Sequence, residues 1–177
     1  MKAKLLLILL ALLFVLTACG EVNPDQIRFE LTPGVDTVEI NSTFEDAGVR
    51  ASYFGLPIQV EIIENTVDMS AIGQYQITYQ IDYRGIIKTL TRVVFVVDET
   101  APIGILNPGI DTVVVGNTWT DASISTSDNS NDDVTITVTG FVNTNFVGSY
   151  MITYTLEDTS GNQSIYYRWV YVIENIN

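Results

Sequence analysis

The chain has 177 residues, 8 Lys+Arg against 21 Asp+Glu for a net charge of −13, one cysteine and no histidine. A surface this acidic repels polyanions and excludes nucleic acid as a partner, because duplex binding rests on cationic neutralisation of phosphates. The missing histidine removes the commonest general base and metal ligand, and a lone cysteine leaves no disulfide, so packing alone must hold any core.

In chain order, the first element is MKAKLLLILLALLFVLTACG, a short basic start (Lys2, Lys4) joined to an apolar run and then to small residues and Cys19. This is the pattern of a secretory signal. Read as a membrane span, Leu5 to Ala18 would cover only about 21 Å of a hydrocarbon core roughly 30 Å thick. Leu16-Thr17-Ala18-Cys19 resembles a bacterial lipobox, which implies cleavage before Cys19 and acylation of its sulfur and new amino group. Residues 1–18 are therefore expected to be a lipoprotein signal peptide and residues 19–26 a lipidated tether. More than one acyl chain gives stable anchoring, so the expected location is the extracytoplasmic face of the cell membrane.

Beyond the tether the sequence repeats itself. LTPGVDTVEINSTFEDA at 31–47 aligns without a gap on LNPGIDTVVVGNTWTDA at 106–122, and GQYQITYQID at 73–82 on GSYMITYTLE at 148–157. The offset is 75 residues, and one further residue inserted after these blocks brings Arg92 onto Arg168. Two tandem domains follow, 27–98 and 102–175, with a linker at 99–101. Within each copy the apolar period is two: Tyr75, Ile77, Tyr79 and Ile81 alternate with polar residues, as do Tyr150, Ile152, Tyr154 and Leu156. Further strands are predicted near 37–40, 58–63 and 89–97, with counterparts at 112–115, 134–139 and 165–173. Turn signals separate them at Pro33-Gly34, Gly55, Gly85, Pro108-Gly109, the run 128–133 and Ser160-Gly161-Asn162. The expected fold is all-β, two small tandem antiparallel sandwiches.

The order of these blocks resembles the bacterial immunoglobulin-like domain found in a pesticidal crystal protein and in many surface proteins. The blocks are Pro-Gly with Asp-Thr-Val, Thr-aromatic-x-Asp-Ala, Gly-x-Tyr-x-Ile-Thr-Tyr, then Asp-x-Ser-Gly-Asn and a final two-sided strand. The first copy departs from this pattern after Ile81, where Asp82-Tyr83-Arg84-Gly85 stands in place of Glu157 to Asn162. The resemblance implies that Tyr75 and Tyr150 are tyrosine corners that bond the chain upstream, and that Ile77 and Ile152 fill the cysteine-like position of a core without a disulfide.

Few groups carry chemistry. Lys88 is the only lysine after the signal segment, and no motif pairs it with a serine. Carboxylate pairs of glycosidase type arise by chance among 21 acids, so a carboxylate-based glycan hydrolase is the third of three functional readings. Hard oxygen ligands crowd Asp128-Asn129-Ser130-Asn131-Asp132-Asp133, which suits Ca²⁺ at Asp128, Asp132 and Asp133, although a solvated turn has the same composition. The linker acids Asp98 and Glu99 offer a second such set. Tyr166, Trp169 and Tyr171 crowd the last strand, where period two sends Tyr166 to the face opposite Tyr167, Trp169 and Tyr171. These aromatics either contact a protein or glycan ligand or, as two-sided apolar strands usually do, pack into core on both faces. The leading functional expectation is a lipoprotein binding or adhesion module, and the rival is an envelope spacer with no ligand of its own.

Overall fold

The structure, a computed structural model, describes residues 21–175, so the expected signal segment and Cys19 lie outside the described residues. The first repeat forms β1 (Ile27–Leu31), β2 (Thr37–Glu39), β3 (Val49–Tyr53), β4 (Leu56–Pro57), β5 (Glu61–Asn65), β6 (Gly73–Tyr83) and β7 (Ile86–Val97). The second forms β8 (Ile103–Leu106), β9 (Thr112–Val114), β10 (Ile124–Ser127), β11 (Thr135–Thr139), β12 (Gly148–Glu157) and β13 (Gln163–Ile173). Each repeat makes two sheets, β1-β3-β4 with β2-β7-β6-β5, and β8-β10 with β11-β12-β13-β9. Pairing is antiparallel except where β2 meets β7 and β9 meets β13 in short parallel ladders.

The long strands follow their alternating pattern. β6 buries Ile77, Tyr79 and Ile81, and β12 buries Ile152, Tyr154 and Leu156, while β7 and β13 bury Arg92, Val94 and Val96, and Arg168, Val170 and Val172. The strand predicted near 58–63 instead forms at Glu61–Asn65, because a register shift between Ile62 and Glu64 breaks the period of two. The hairpin β6–β7 closes through Arg84 and Gly85, both at positive φ (54° and 85°), which fits the twist of the flanking strands.

The chain packs into two compact units. One gathers the described residues up to Gly34 with Asp46–Asn65 and Ile77–Arg92; the other gathers Val35–Glu45, Thr66–Gln76 and the chain from Val93 onward. In the first, Ile27, Ala51, Ile58 and Ile81 make the core, with Phe29, Tyr53, Val60 and Val22 packed against it. Val22 belongs to the expected tether, as does the 3-10 turn Pro24–Gln26, whose Pro24 carbonyl accepts from Lys88 Nζ at 2.7 Å. The described part of the expected tether, residues 21–26, is thus packed onto the first unit.

In the second unit, Ile124, Ile152, Tyr154 and Leu156 are buried together, with Trp119 and Tyr166 against them. Gly104 decides the position of Tyr166, since a Cβ there would lie 2.9 Å from the Tyr166 ring and 2.6 Å from Ile124 Cδ1. The repeat offset places Phe29 opposite Gly104 and Leu90 opposite Tyr166, so the ring sits on the first strand in one copy and on the last strand in the other.

Candidate functional site

Three groups of side chains are the candidates, and the first is architectural. Arg92 is 1% exposed; its Nη2 donates to the carbonyls of Thr32 (2.6 Å) and Gly48 (2.9 Å), and its Nε lies 3.2 Å from Asp46 Oδ1. The Tyr79 hydroxyl donates to the same Asp46 oxygen at 2.6 Å. The second copy repeats this set: Arg168 Nη2 bonds the carbonyls of Asn107 and Ser123, its Nη1 grips Asp111 at 2.8 and 3.1 Å, and Tyr154 donates to Asp121 at 2.5 Å. Burial, then the Asp46 carboxylate, pushes the Tyr79 phenol up to about 12, and the same causes raise Tyr154. Burial alone would lower Arg168, but Asp111 and Tyr154 outweigh it and raise it above the ordinary arginine value. Pairing of this kind clamps strands together, and the raised phenols lie further from titration near neutral pH. Alternation in the sequence places Tyr79 and Tyr154 on the inward face of their strands but gives the arginines and aspartates no role, although the repeated Asp-Ala pairs and the alignment of Arg92 with Arg168 are visible signals.

Tyr75 and Tyr150 make a separate, local pair of bonds. Their hydroxyls donate to the carbonyls of Ala71 (2.7 Å) and Phe146 (2.8 Å), four residues upstream in each copy. Trp119 packs against the core and donates its indole N–H to the Ile110 carbonyl at 2.8 Å.

The second group is the outer face of β11-β12-β13-β9. Tyr167, Trp169 and Tyr171 are 52%, 51% and 48% exposed, in a row whose steps are about 6.8 Å along the strand. Core on both faces of β13, the packing favoured from sequence, is therefore not what forms. Tyr166 parts from Trp169 and Tyr171 as the alternation requires: it fills the space beside Gly104, and Tyr167 takes its place in the open row. Thr153, Met151 and Ser149 lie opposite the row on β12, Thr112 opposite Tyr171 on β9, and Thr139 and Thr137 continue the face on β11. Among the described residues the only charge on this face is Glu157, at the strand end opposite Gln163.

The third group is acidic. One carboxylate oxygen from each of Asp98, Asp128 and Asp158 lies within 4.8 Å of the others, and Asp98 and Asp158 are only 8% and 5% exposed. Asp98 accepts from the Ser160 hydroxyl (3.0 Å) and the Thr100 N–H (3.3 Å), and Asp158 from the Asn162 N–H and side-chain amide, both at 2.8 Å. Asp128 Oδ2 accepts from Ser130, whereas its Oδ1 is sealed from solvent without a hydrogen-bond partner. Burial raises the Asp98 pKa, the Asp158 and Asp128 charges add to the rise, and the Ser160 and Thr100 bonds only partly offset it. Of the loop acids predicted to bind a cation, Asp128 alone joins this set. Asp132 is exposed and accepts from Thr159 at 2.7 Å, and Asp133 is exposed as well. Of the linker acids, Asp98 joins, while Glu99 uses its backbone N–H to bond the Glu39 carboxylate. Hard carboxylate oxygens clustered in this way are the donor type Ca²⁺ takes.

A family model described as bacterial surface protein, Ig-like domain, matches residues 34–96 and 110–172. No curated protein is significantly similar in sequence. Among solved structures, an endo-fucoidan hydrolase of glycoside hydrolase family 107 is 13% identical with a TM-score of 0.35, over 89% of this chain and 30% of that one. A lipoprotein from Bacteroides thetaiotaomicron is 17% identical with a TM-score of 0.34, over 81% of this chain and 99% of that one. The chain thus spans about a third of the hydrolase's length.

Proposed function

The chain belongs to the family of bacterial surface proteins with Ig-like domains, and from that premise we propose that it is a lipid-anchored, non-enzymatic binding module whose ligand lies on the open face of β11-β12-β13-β9. The observation that carries this reading is the row Tyr167, Trp169 and Tyr171, half exposed on a face with a single charge in a chain of net charge −13. An open aromatic patch of this kind marks an interaction site, and its lack of charge selects a neutral partner. Threonine and serine hydroxyls between flat rings suit a neutral glycan, whose C–H faces stack on the rings while its hydroxyls bond the rim. The test is affinity electrophoresis of the full-length protein in detergent against neutral polysaccharides, with Trp169→Ala beside it. Retardation of the wild type and its loss in the variant are expected. No retardation by any polysaccharide would leave the spacer reading in place, and equal retardation of both proteins would move the ligand elsewhere.

The anchor in this reading is Cys19, which holds the first unit within a few residues of the membrane. Cys19→Ala is expected to shift the protein from the membrane to the soluble fraction or to stall its maturation; unchanged membrane retention would refute lipidation.

The buried oxygens of Asp98, Asp128 and Asp158 favour a second element of function, a Ca²⁺ ion that neutralises them. Calcium is expected to raise the melting temperature relative to chelator, and Asp158→Ala to abolish the increment. An identical melting temperature in both conditions would remove Ca²⁺ from the account.

A further inference from the structure

We propose that the outer face of β1-β3-β4 carries a second, separate site that binds a monoanionic sugar, a uronic acid residue, through Arg28 and Arg50. Antiparallel pairing sets Arg28 opposite Ser52 and Glu30 opposite Arg50, so these four side chains share one face while Phe29 and Ala51 turn inward to the core. They line a concavity of about 490 Å³ whose other wall includes Pro57 and Val60. That volume lies within the range of small-molecule sites. A smaller hollow of about 280 Å³ adjoins it and shares Arg28, Ser52 and Gly55, which gives the site room for a neighbouring residue of a chain.

The distribution of positive charge singles this face out. The described residues include six basic side chains, of which Arg92 and Arg168 are buried in the strand clamps, Lys88 donates to Pro24 and Arg84 lies 5.6 Å from the centre of the Tyr83 ring. Arg28 and Arg50 are exposed and make no ion pair or hydrogen bond among the described residues, and both line the same hollow. With Glu30 between them the wall of the larger hollow carries one net positive charge, which one carboxylate neutralises and a polyanion would exceed, while the smaller hollow adds the acid Asp25 and so takes an uncharged neighbouring residue. The guanidinium fork matches a planar carboxylate in two parallel bonds. Glu30 and Ser52 then accept from ring hydroxyls, and Pro57 and Val60 face the ring's C–H surface. A phosphorylated ligand brings too much charge for this wall, and an apolar acid leaves Glu30 without a donor.

The site is independent of the aromatic face, and its test separates the two. The full-length protein in detergent is titrated with methyl β-D-glucuronide, methyl β-D-glucoside and N-acetyl-glycylglycine, read by saturation-transfer difference NMR. The glucuronide is expected to bind at least about tenfold more tightly than the glucoside, and more weakly as NaCl is raised. Arg28→Ala and Arg50→Ala are each expected to lower its affinity about tenfold, Arg28→Lys less, and Trp169→Ala not at all. Because Arg28 and Arg50 are exposed, an unchanged melting temperature certifies that the variants fold. No saturable glucuronide signal, equal binding of the glucoside, or full affinity in the Arg28→Ala/Arg50→Ala double variant would overturn the proposal. Tighter binding of the dipeptide than of the glucuronide would overturn it in favour of a peptide C-terminus.

Discussion

The two copies of the repeat agree in their buried polar clamp and differ in their open sheet face and in one loop. Inside, Arg92, Tyr79 and Asp46 correspond to Arg168, Tyr154 and Asp121, each set joining a buried guanidinium to a carboxylate, a phenol and two backbone carbonyls. Outside, Thr91, Val93 and Phe95 of the first copy stand where the second has Tyr167, Trp169 and Tyr171. The two-residue turn Arg84-Gly85 stands where the second has the loop that carries Asp158. A domain without a disulfide can hardly vary its clamp, because each partner removed strands a buried polar group; its exposed face bears no such constraint. The repeat therefore preserves what closes the fold and diversifies what meets the surroundings.

The strongest break in this comparison is to remove the clamp. Arg92→Met and Arg168→Met each remove the cation beside a part-buried carboxylate and take the guanidinium donor from two backbone carbonyls, and are expected to cost about 2–4 kcal/mol. Denaturant titration should show similar losses in both variants, and a loss below 1 kcal/mol in either would mean that the copies do not share this stabilising set.

A smaller effect tests the exchanged ring. Gly104→Phe rebuilds the first copy's residue while Tyr166 still occupies the space, and is expected to cost about 1–3 kcal/mol. Adding Tyr166→Leu should recover at least about 1 kcal/mol through coupling of neighbours. Strict additivity of the two substitutions would show that Tyr166 does not fill the space left by Gly104.

Tyr75→Phe and Tyr150→Phe should each lose about 1 kcal/mol, the net value of one hydrogen bond, and to the same extent in both copies. The smallest change has the opposite sign. The native Asp98 carboxyl holds its proton more tightly than the unfolded one, whose ordinary value is 3.8. The stability it contributes is therefore complete below that value and lost as pH rises through the native pKa. In chelator, Asp98→Asn should then raise the melting temperature slightly at pH 7, with the gain vanishing as the pH falls toward 3.8. With Ca²⁺ present the same substitution should lower it.

The long strands β6, β7, β12 and β13 were legible because half-buried strands must alternate, and over ten or more residues alternation cannot be mistaken. The short strands β1, β3, β4, β8 and β10 were not, since so few residues show no period; β2 and β9, equally short, were found only because the repeated Asp-Thr-Val block marks them. The strand near residue 60 was misplaced because a bulge carries no signature in composition. The aromatic row was half legible: alternation separated Tyr166 from Tyr167, Trp169 and Tyr171, but which face lay open depended on what packed beneath. Asp98, Asp128 and Asp158 stand thirty residues apart, beyond any local pattern, and only loop closure brings their oxygens together.

Sequence alone determined the repeat, the all-β class and the alternation of each long strand, because these follow from local covalent geometry and the burial of every second side chain. Tertiary structure decided which face of β13 stays in solvent, which acids share one small volume and which arginines are left exposed on a concave wall. Those depend on contacts between segments distant in the chain, as where Gly104 leaves room for the Tyr166 ring that alternation turns inward.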